Sequence, residues 1–242
     1  MKISRIAGLA ALAVLAIGQA RAEVVGGELR LGHERFLDDV VVGGREEVLS
    51  RTALEGALEL EFGYSGAGLQ VDLGLDRAGL LDGTGINATV HGLYALPVDA
   101  TVGVFLGRDG FDDVDSIHYG IEGFYEYDRF SGQGYVMGVT DDADGTVVGL
   151  RGDMLLSAQL SVGARIDYAD LDGGADAARY GLTAKYDVTP STSVSAELGI
   201  AEASVQGIGS ADEAYVGVQA TVGFGTGATF DRRGLLDLLP GF

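Results

Sequence analysis

The sequence predicts an all-β fold, a transmembrane antiparallel β-barrel of about twelve strands, with ten to fourteen as its range. Three observations predict it. After residue 22 the chain alternates apolar and polar residues in segment after segment. The connections between these segments alternate between short turns and longer acidic loops. Aromatic residues gather near both ends of the apolar faces. In Ala158 to Tyr168, the residues Ala158, Leu160, Val162, Ala164, Ile166 and Tyr168 fall on one side of an extended chain, and Gln159, Ser161, Gly163, Arg165 and Asp167 on the other. Successive side chains of a strand point to opposite faces, so such a segment has one face for lipid and one for a polar interior.

The elements follow in order. Lys2 and Arg5 precede an apolar run, Ile6 to Ile17, and Ala20-Arg21-Ala22 is a small-x-small cleavage site. Residues 1–22 therefore read as a secretory signal peptide, too short to span a bilayer, with the processed chain starting near Glu23. Strands are expected near 24–33, 52–63, 68–77, 85–95, 100–108, 116–127, 132–141, 145–156, 158–169, 177–188, 192–203 and 213–225. The barrel thus spans 23–225, and 226–242 follows as a C-terminal periplasmic tail. The outward sets include Leu54, Leu58, Leu60 and Phe62 on the second strand, and Ala178, Tyr180, Leu182, Ala184, Tyr186 and Val188 on the tenth. Turns such as Ser65-Gly66-Ala67 and Thr189-Pro190-Ser191 are short, whereas His33 to Ser50 and Asp109 to Asp115 are long or acidic. The short and long sets fall on opposite ends, as in membrane barrels. Folding the ninth and tenth strands about Gly173 sets Asp167 opposite Arg179, an expected cross-strand ion pair.

Composition excludes several classes. There is no Cys, so neither a disulfide framework nor thiol chemistry is available. Glycine is abundant, with 40 residues, and recurs at inward or bend positions such as Gly103, Gly120, Gly163, Gly181 and Gly217, where a missing side chain leaves room. All 36 Asp and Glu lie after residue 22, while Lys2, Arg5 and Arg21 leave with the signal, so the processed chain is more acidic than the −20 of the whole. Such a balance argues against nucleic acid and anionic headgroups as ligands.

The last strand, AYVGVQATVGF (214–224), closes on alternating Val216, Val218, Ala220, Val222 and Phe224. Together with the signal peptide and the strand pattern, it resembles bacterial outer-membrane porin-like β-barrel proteins over residues 23–225. The resemblance implies the outer membrane of a Gram-negative bacterium, a surround of lipid and lipopolysaccharide, and delivery by the barrel-assembly machinery. It also implies that a terminal aromatic is the assembly signal. The chain departs from the pattern by running on past Phe224 to a second terminal aromatic, Phe242, and either fits that role. In the tail, Arg232 and Arg233 form an adjacent basic pair, and Leu235, Leu236, Leu238 and Leu239 repeat as in a short amphipathic helix, which could fold back into the periplasmic mouth, lie on the inner rim, bind a partner or stay frayed as a chain end.

Parity assigns the lumen. The inward acids are Glu28, Glu55, Glu59, Asp72, Glu122, Glu126, Asp153, Asp167, Asp187 and Glu197, and the inward bases are Arg30, Arg151, Arg165, Arg179 and Lys185; His91 also faces in. A wall rich in carboxylates favours cations, so passive diffusion of small hydrophilic solutes or ions with a cation bias is the expected function. A non-conducting structural or surface-interaction barrel is the first alternative, since salt bridges can fill a lumen. A barrel-embedded hydrolase is the second: His118 and Ser116 share an inward face, but no G-x-S-x-G elbow is present. No catalytic, cofactor or resident metal site is assigned. The Asp-rich loops 111–116, 141–145 and 170–176 offer at most weak divalent cation bridging, because Asp and Gly also suit tight turns. A soluble β-sandwich alternates in the same way and stays open at this stage.

Overall fold

The computed structural model describes residues 22–238 except 39, 43–44, 64, 80–82, 112–113, 142–143 and 208; the signal segment before Ala22 and Phe242 lie outside the described residues. Among these described residues fourteen strands follow in chain order. They are β1 (Ala22–Phe36), β2 (Val40–Val42), β3 (Arg45–Glu47), β4 (Ser50–Phe62), β5 (Ala67–Ala78), β6 (Thr84–Leu96) and β7 (Ala100–Phe111). Then come β8 (Val114–Tyr127), β9 (Phe130–Asp141), β10 (Gly145–Leu155), β11 (Leu160–Leu171), β12 (Ala175–Thr189), β13 (Thr192–Val205) and β14 (Gly209–Gly225). Twelve of them close into one barrel, each strand antiparallel to its neighbours, while β2 and β3 form a small separate hairpin in the loop after β1. All twelve expected strands are present, and the hairpin within 33–50 is an addition.

Closure is made by β1, which pairs β14 from Gly26↔Gly225 to Phe36↔Tyr215 and β4 on its other side. A closed sheet has no edge, so each ladder N–H and C=O finds a partner without water, as a bilayer demands. Among the described residues no helix is long and apolar enough to cross a membrane. Away from the strand ends and loops, the large exposed apolar side chains fall on the outward parity, among them Leu29, Leu54, Leu73, Val104, Leu150 and Leu182. Outward aromatics stand near the short-turn end (Tyr94, Tyr125, Tyr127, Phe224) and toward the other end (Tyr119, Tyr168, Tyr180). Rings with polar tips suit both headgroup levels.

The strands run past the expected ends. β1 continues beyond residue 33 through Glu34 to Phe36, β4 starts early enough to include Arg51, and β7 takes in Asp109. Their added residues keep the same parity and carry charge inward. Val162, the third residue of β11, consequently lies near a strand end rather than at mid-height.

The segment after the barrel is not outside it. At Gly225 (φ 61) and Gly227 (φ 78) the chain takes left-handed conformations that glycine adopts without strain. It then turns back into the lumen, where Phe230, Arg232, Arg233 and Leu238 are buried. Over the described residues this corrects the expected periplasmic tail in favour of the fold-back, which runs deeper than the periplasmic mouth. It also overturns the amphipathic helix, of which a single 3-10 turn, Leu235–Asp237, is present. The leucine spacing encodes a docking surface instead. Leu238 joins Phe105, Met137, Val139, Val147, Ala169 and Ala177 in an apolar cluster on the inner wall, with Leu235 packed against it.

Candidate functional site

The candidate site is the lumen, and its geometry follows from one strand-by-strand rule: whatever shares the parity opposite the lipid face meets inside. The entering segment crosses from the short-turn end toward the long-loop end. The Thr229 N–H donates to Glu59 (2.9 Å), and Gln70 both accepts from the Phe230 N–H (3.0 Å) and donates to its carbonyl (2.7 Å). Arg232 forks onto Asp76 (2.8 and 3.3 Å) and reaches Glu55 (3.3 Å) and Asp237 (2.6 Å). Arg233 donates to Glu122 (3.0 Å) and Gln133 (3.0 Å), with its guanidinium over the Tyr135 ring at 4.3 Å. Higher up, the Leu235 N–H meets Asp109 (2.8 Å), and Arg51 donates to the Leu236 carbonyl and to Asp237 (2.7 Å). The bidentate arginine pairings are among the stronger charge-assisted bonds available to a side chain.

Two histidines sit under this segment. His91 is fully buried, with Nδ1 2.5 Å from Glu122 and Nε2 2.9 Å from Asp72; an imidazolium, with two N–H donors, satisfies both. His118 has Nε2 3.0 Å from the Thr89 hydroxyl and Nδ1 3.4 Å from Asp109. That row has the residue types of a hydrolytic triad, but the Asp109 contact is too long for a hydrogen bond. The Arg233 carbonyl also lies on Thr89 at 3.1 Å, so the hydroxyl is covered.

Opposite the segment remains a cavity of about 130 Å³. It is lined by Arg30, Arg51, Arg151, Arg165, Arg179, Arg232 and Arg233 against Glu34, Glu55, Asp167, Glu197, Asp231 and Asp237. The arginines are answered by acids: Arg30 by Glu28 and by Asp231 (3.1 Å), Arg151 by Asp153 (3.0 Å) and Asp231 (3.4 Å), and Arg165 by Asp167 (2.7 Å). Glu126 stands on the short-turn rim, and Lys185 is half exposed beside Asp187 at 3.6 Å. Glu34, Arg51, Asp76 and Asp109, with the neutral Gln70, Asn87, Thr89, Gln133, Tyr135 and Tyr215, are lumen residues absent from the sequence-derived set. Asp76, Gln70 and Tyr215 were open to parity, whereas Glu34, Arg51 and Asp109 lay beyond the expected strand ends. Among the described residues no three His, Asp or Glu converge to hold a metal ion.

The β11–β12 register sets Asp167 opposite Arg179, as expected. The ion pair expected of it is not the one formed. Arg179 turns to Glu34 (2.5 Å), Glu197 (2.7 Å) and the Tyr215 hydroxyl (2.9 Å), while Asp167 takes Arg165 and the Tyr135 hydroxyl (2.9 Å). A double-mutant cycle should therefore couple Arg179→Gln to Glu197→Gln by about 0.5–3 kcal/mol. Coupling to Asp167→Asn should be weaker, and the reverse order in refolding titrations would overturn these pairings.

No family model matches the chain, and no curated protein matches it. Solved structures do match. The KdgM porin is 11% identical with a TM-score of 0.60, over 81% of this chain and 99% of that one. KdgM has also been solved in complex with disordered oligogalacturonate, at 13% identity and a TM-score of 0.59 over 81% and 99% of the two chains. The NanC porin is 8% identical, with a TM-score of 0.57 over 81% of this chain and 98% of its own. An outer membrane channel from Pseudomonas putida F1 is 12% identical, with a TM-score of 0.55 over 83% and 95%. The fold is that of the outer-membrane porin barrels. At such identities the likeness is one of architecture, and the porin-like resemblance read from the strand pattern is matched at that level.

Proposed function

We propose that this chain is an outer-membrane, porin-like channel for passive diffusion of small hydrophilic solutes or ions, and not an enzyme. The observation that carries this is a closed twelve-strand barrel, apolar outside, whose charged interior retains a cavity of about 130 Å³. The fold shared with KdgM and NanC supports it. On this reading the signal peptide directs export from the cytoplasm of a Gram-negative cell, and lipid and lipopolysaccharide cover the outward belt. The barrel-assembly machinery recognises Phe224, outward at the end of β14, or Phe242. The acidic loops offer weak divalent cation contacts at the surface. The covered Thr89–His118–Asp109 row supports the non-enzymatic reading.

A cation preference, weaker than a plain count of inward carboxylates implies, belongs to this proposal. The cavity itself is near balance, with seven arginines against six carboxylates. The mouths are acidic, through Asp141, Asp144, Asp170 and Asp172 at one end and Asp99, Glu126 and Asp128 at the other. Such mouths concentrate cations within a Debye length of about 8–10 Å. The KdgM complex with oligogalacturonate suggests an acidic saccharide as the rival solute. Arg30, Arg151 and Arg165 each already face a carboxylate within 3.1 Å, which leaves little positive field for one.

In a KCl gradient the wild type should show a modest cation-selective reversal potential. Glu126→Gln with Asp170→Asn and Asp172→Asn should move it toward zero. Anion selectivity in the wild type would overturn the cation preference and leave the channel. Complete silence of a folded barrel would favour the non-conducting alternative, which the occupied lumen already makes the second reading.

A further inference from the structure

We propose that residues 226–238 are an autoinhibitory plug: while seated they hold the lumen narrow, and the pore widens when they leave. The proposal rests on the channel reading above. The inner wall is shaped for this segment. A side chain at Gly74 would overlap the Arg232 guanidinium, one at Gly85 would come within 2.6 Å of Leu236, and one at Gly103 within 2.9 Å of Phe230. Gly103 lies opposite Leu93 toward the short turns, and Gly74 (opposite Asn87) and Gly85 lie nearer the long loops, so the room they leave follows the segment from Phe230 up to Leu236. Polar groups of the wall also complete the segment's backbone. The Phe230 N–H and carbonyl both meet Gln70, and the Arg233 carbonyl accepts from Asn87 (2.7 Å) and Thr89 (3.1 Å).

The attachment is of a kind that can be exchanged. Apart from Phe230, Leu235, Leu236 and Leu238, the segment is held by ion pairs and hydrogen bonds beside a cavity that admits water. Breaking a buried pair is costly when one charge stays stranded, but when the segment leaves, water reaches both partners, and a buried pair then holds less firmly than well-packed apolar residues of the same volume. The glycine turn at Gly225–Gly227 joins the segment to the last strand at the short-turn rim, where it can pass out of the mouth.

Departure of the segment has a signature beyond size. Asp72, Asp76, Asp109 and Glu122 lie under it and do not line the present cavity. The segment's own described charges, Asp231 and Asp237 against Arg232 and Arg233, cancel. Its removal would therefore add these four carboxylates to the lining, offset only by the His91 imidazolium between Asp72 and Glu122, and turn a balanced constriction into an acidic one.

Single-channel recording in planar bilayers tests this, with wild type, the double variant Arg232→Glu and Arg233→Glu, and a chain ending after Thr226. The double variant keeps the whole chain, including Phe242, and sets new carboxylates against Asp76 and Glu122. It therefore remains informative where the truncated chain fails to assemble. Heat-modifiable gel mobility identifies folded barrels. Both variants should show several-fold higher conductance than wild type and a reversal potential further toward the cation limit. Folded variants with wild-type conductance and selectivity would overturn the plug and leave the channel standing. Silence of wild type and folded variants alike would remove the channel reading, and the plug with it.

Discussion

Arg179→Met is expected to cost about 3–5 kcal/mol of folding free energy, the penalty of stranding buried charges rather than the worth of the pairs themselves. Arg179 is 1% exposed and lies between two carboxylates from different strands, Glu34 of β1 and Glu197 of β13. It also donates to the Tyr215 hydroxyl (2.9 Å) and the Asp237 carbonyl (2.9 Å), with its guanidinium 4.7 Å from the centre of the Tyr215 ring. Methionine replaces the stem and none of the donors. The two acids then face each other in a confined space. Adding Glu34→Gln and Glu197→Gln to Arg179→Met should recover most of the loss, because neutral amides carry no stranded charge. Urea titrations in lipid vesicles would measure all three forms. A loss below about 1 kcal/mol for the single variant would mark the cluster as no more than a solvated surface pair.

Why the barrel was legible and the plug was not comes down to range. Lipid imposes the same demand on every strand, so parity alone separates Leu150 and Leu182 from Arg151 and Arg179. Register in a hairpin is local as well: the loop at Gly173 and the alternation on each side suffice to set Asp167 against Arg179. Which acid an inward arginine then chooses is not local. Arg179 reaches past Asp167 to Glu34, 145 residues away in sequence, because closure of the barrel brings β1 beside β14. Glu34 was hidden for a simpler reason, since it lies just past the expected end of its strand.

The tail failed in a different way. Its leucines have helical spacing, and within the segment the Arg232–Arg233 pair meets Asp237 through Arg232 alone. In the fold those two cations find Asp76, Glu55, Glu122 and Gln133, contributed by β5, β4, β8 and β9. No pattern along the chain announces such a convergence. The available hint was the inward glycines, of which Gly103 was already noted as leaving room inside. What fills that room, Phe230, could be named only once the lumen was closed.

The lipid face makes the sharpest test of the architecture. Leu182 is the central residue of β12, is 69% exposed, and is flanked across the ladder by the outward Ala164 and Leu198. Leu182→Arg should cost about 2–4 kcal/mol, the penalty for placing a guanidinium at the bilayer midplane. Thr183→Arg, one residue on, enters the cavity opposite Glu197 and should cost less than about 1 kcal/mol, since water and a carboxylate receive it. Val162→Arg should fall between them, because Val162 stands close to the end of β11, where the side chain can reach the headgroups. Refolding titrations into vesicles would rank the three. Equal penalties at Leu182 and Thr183 would contradict the division into lipid and lumen faces. A Leu182→Arg variant that folds in detergent-free buffer as readily as wild type would mean that this face meets water, and the closed sheet would then have to be a soluble one.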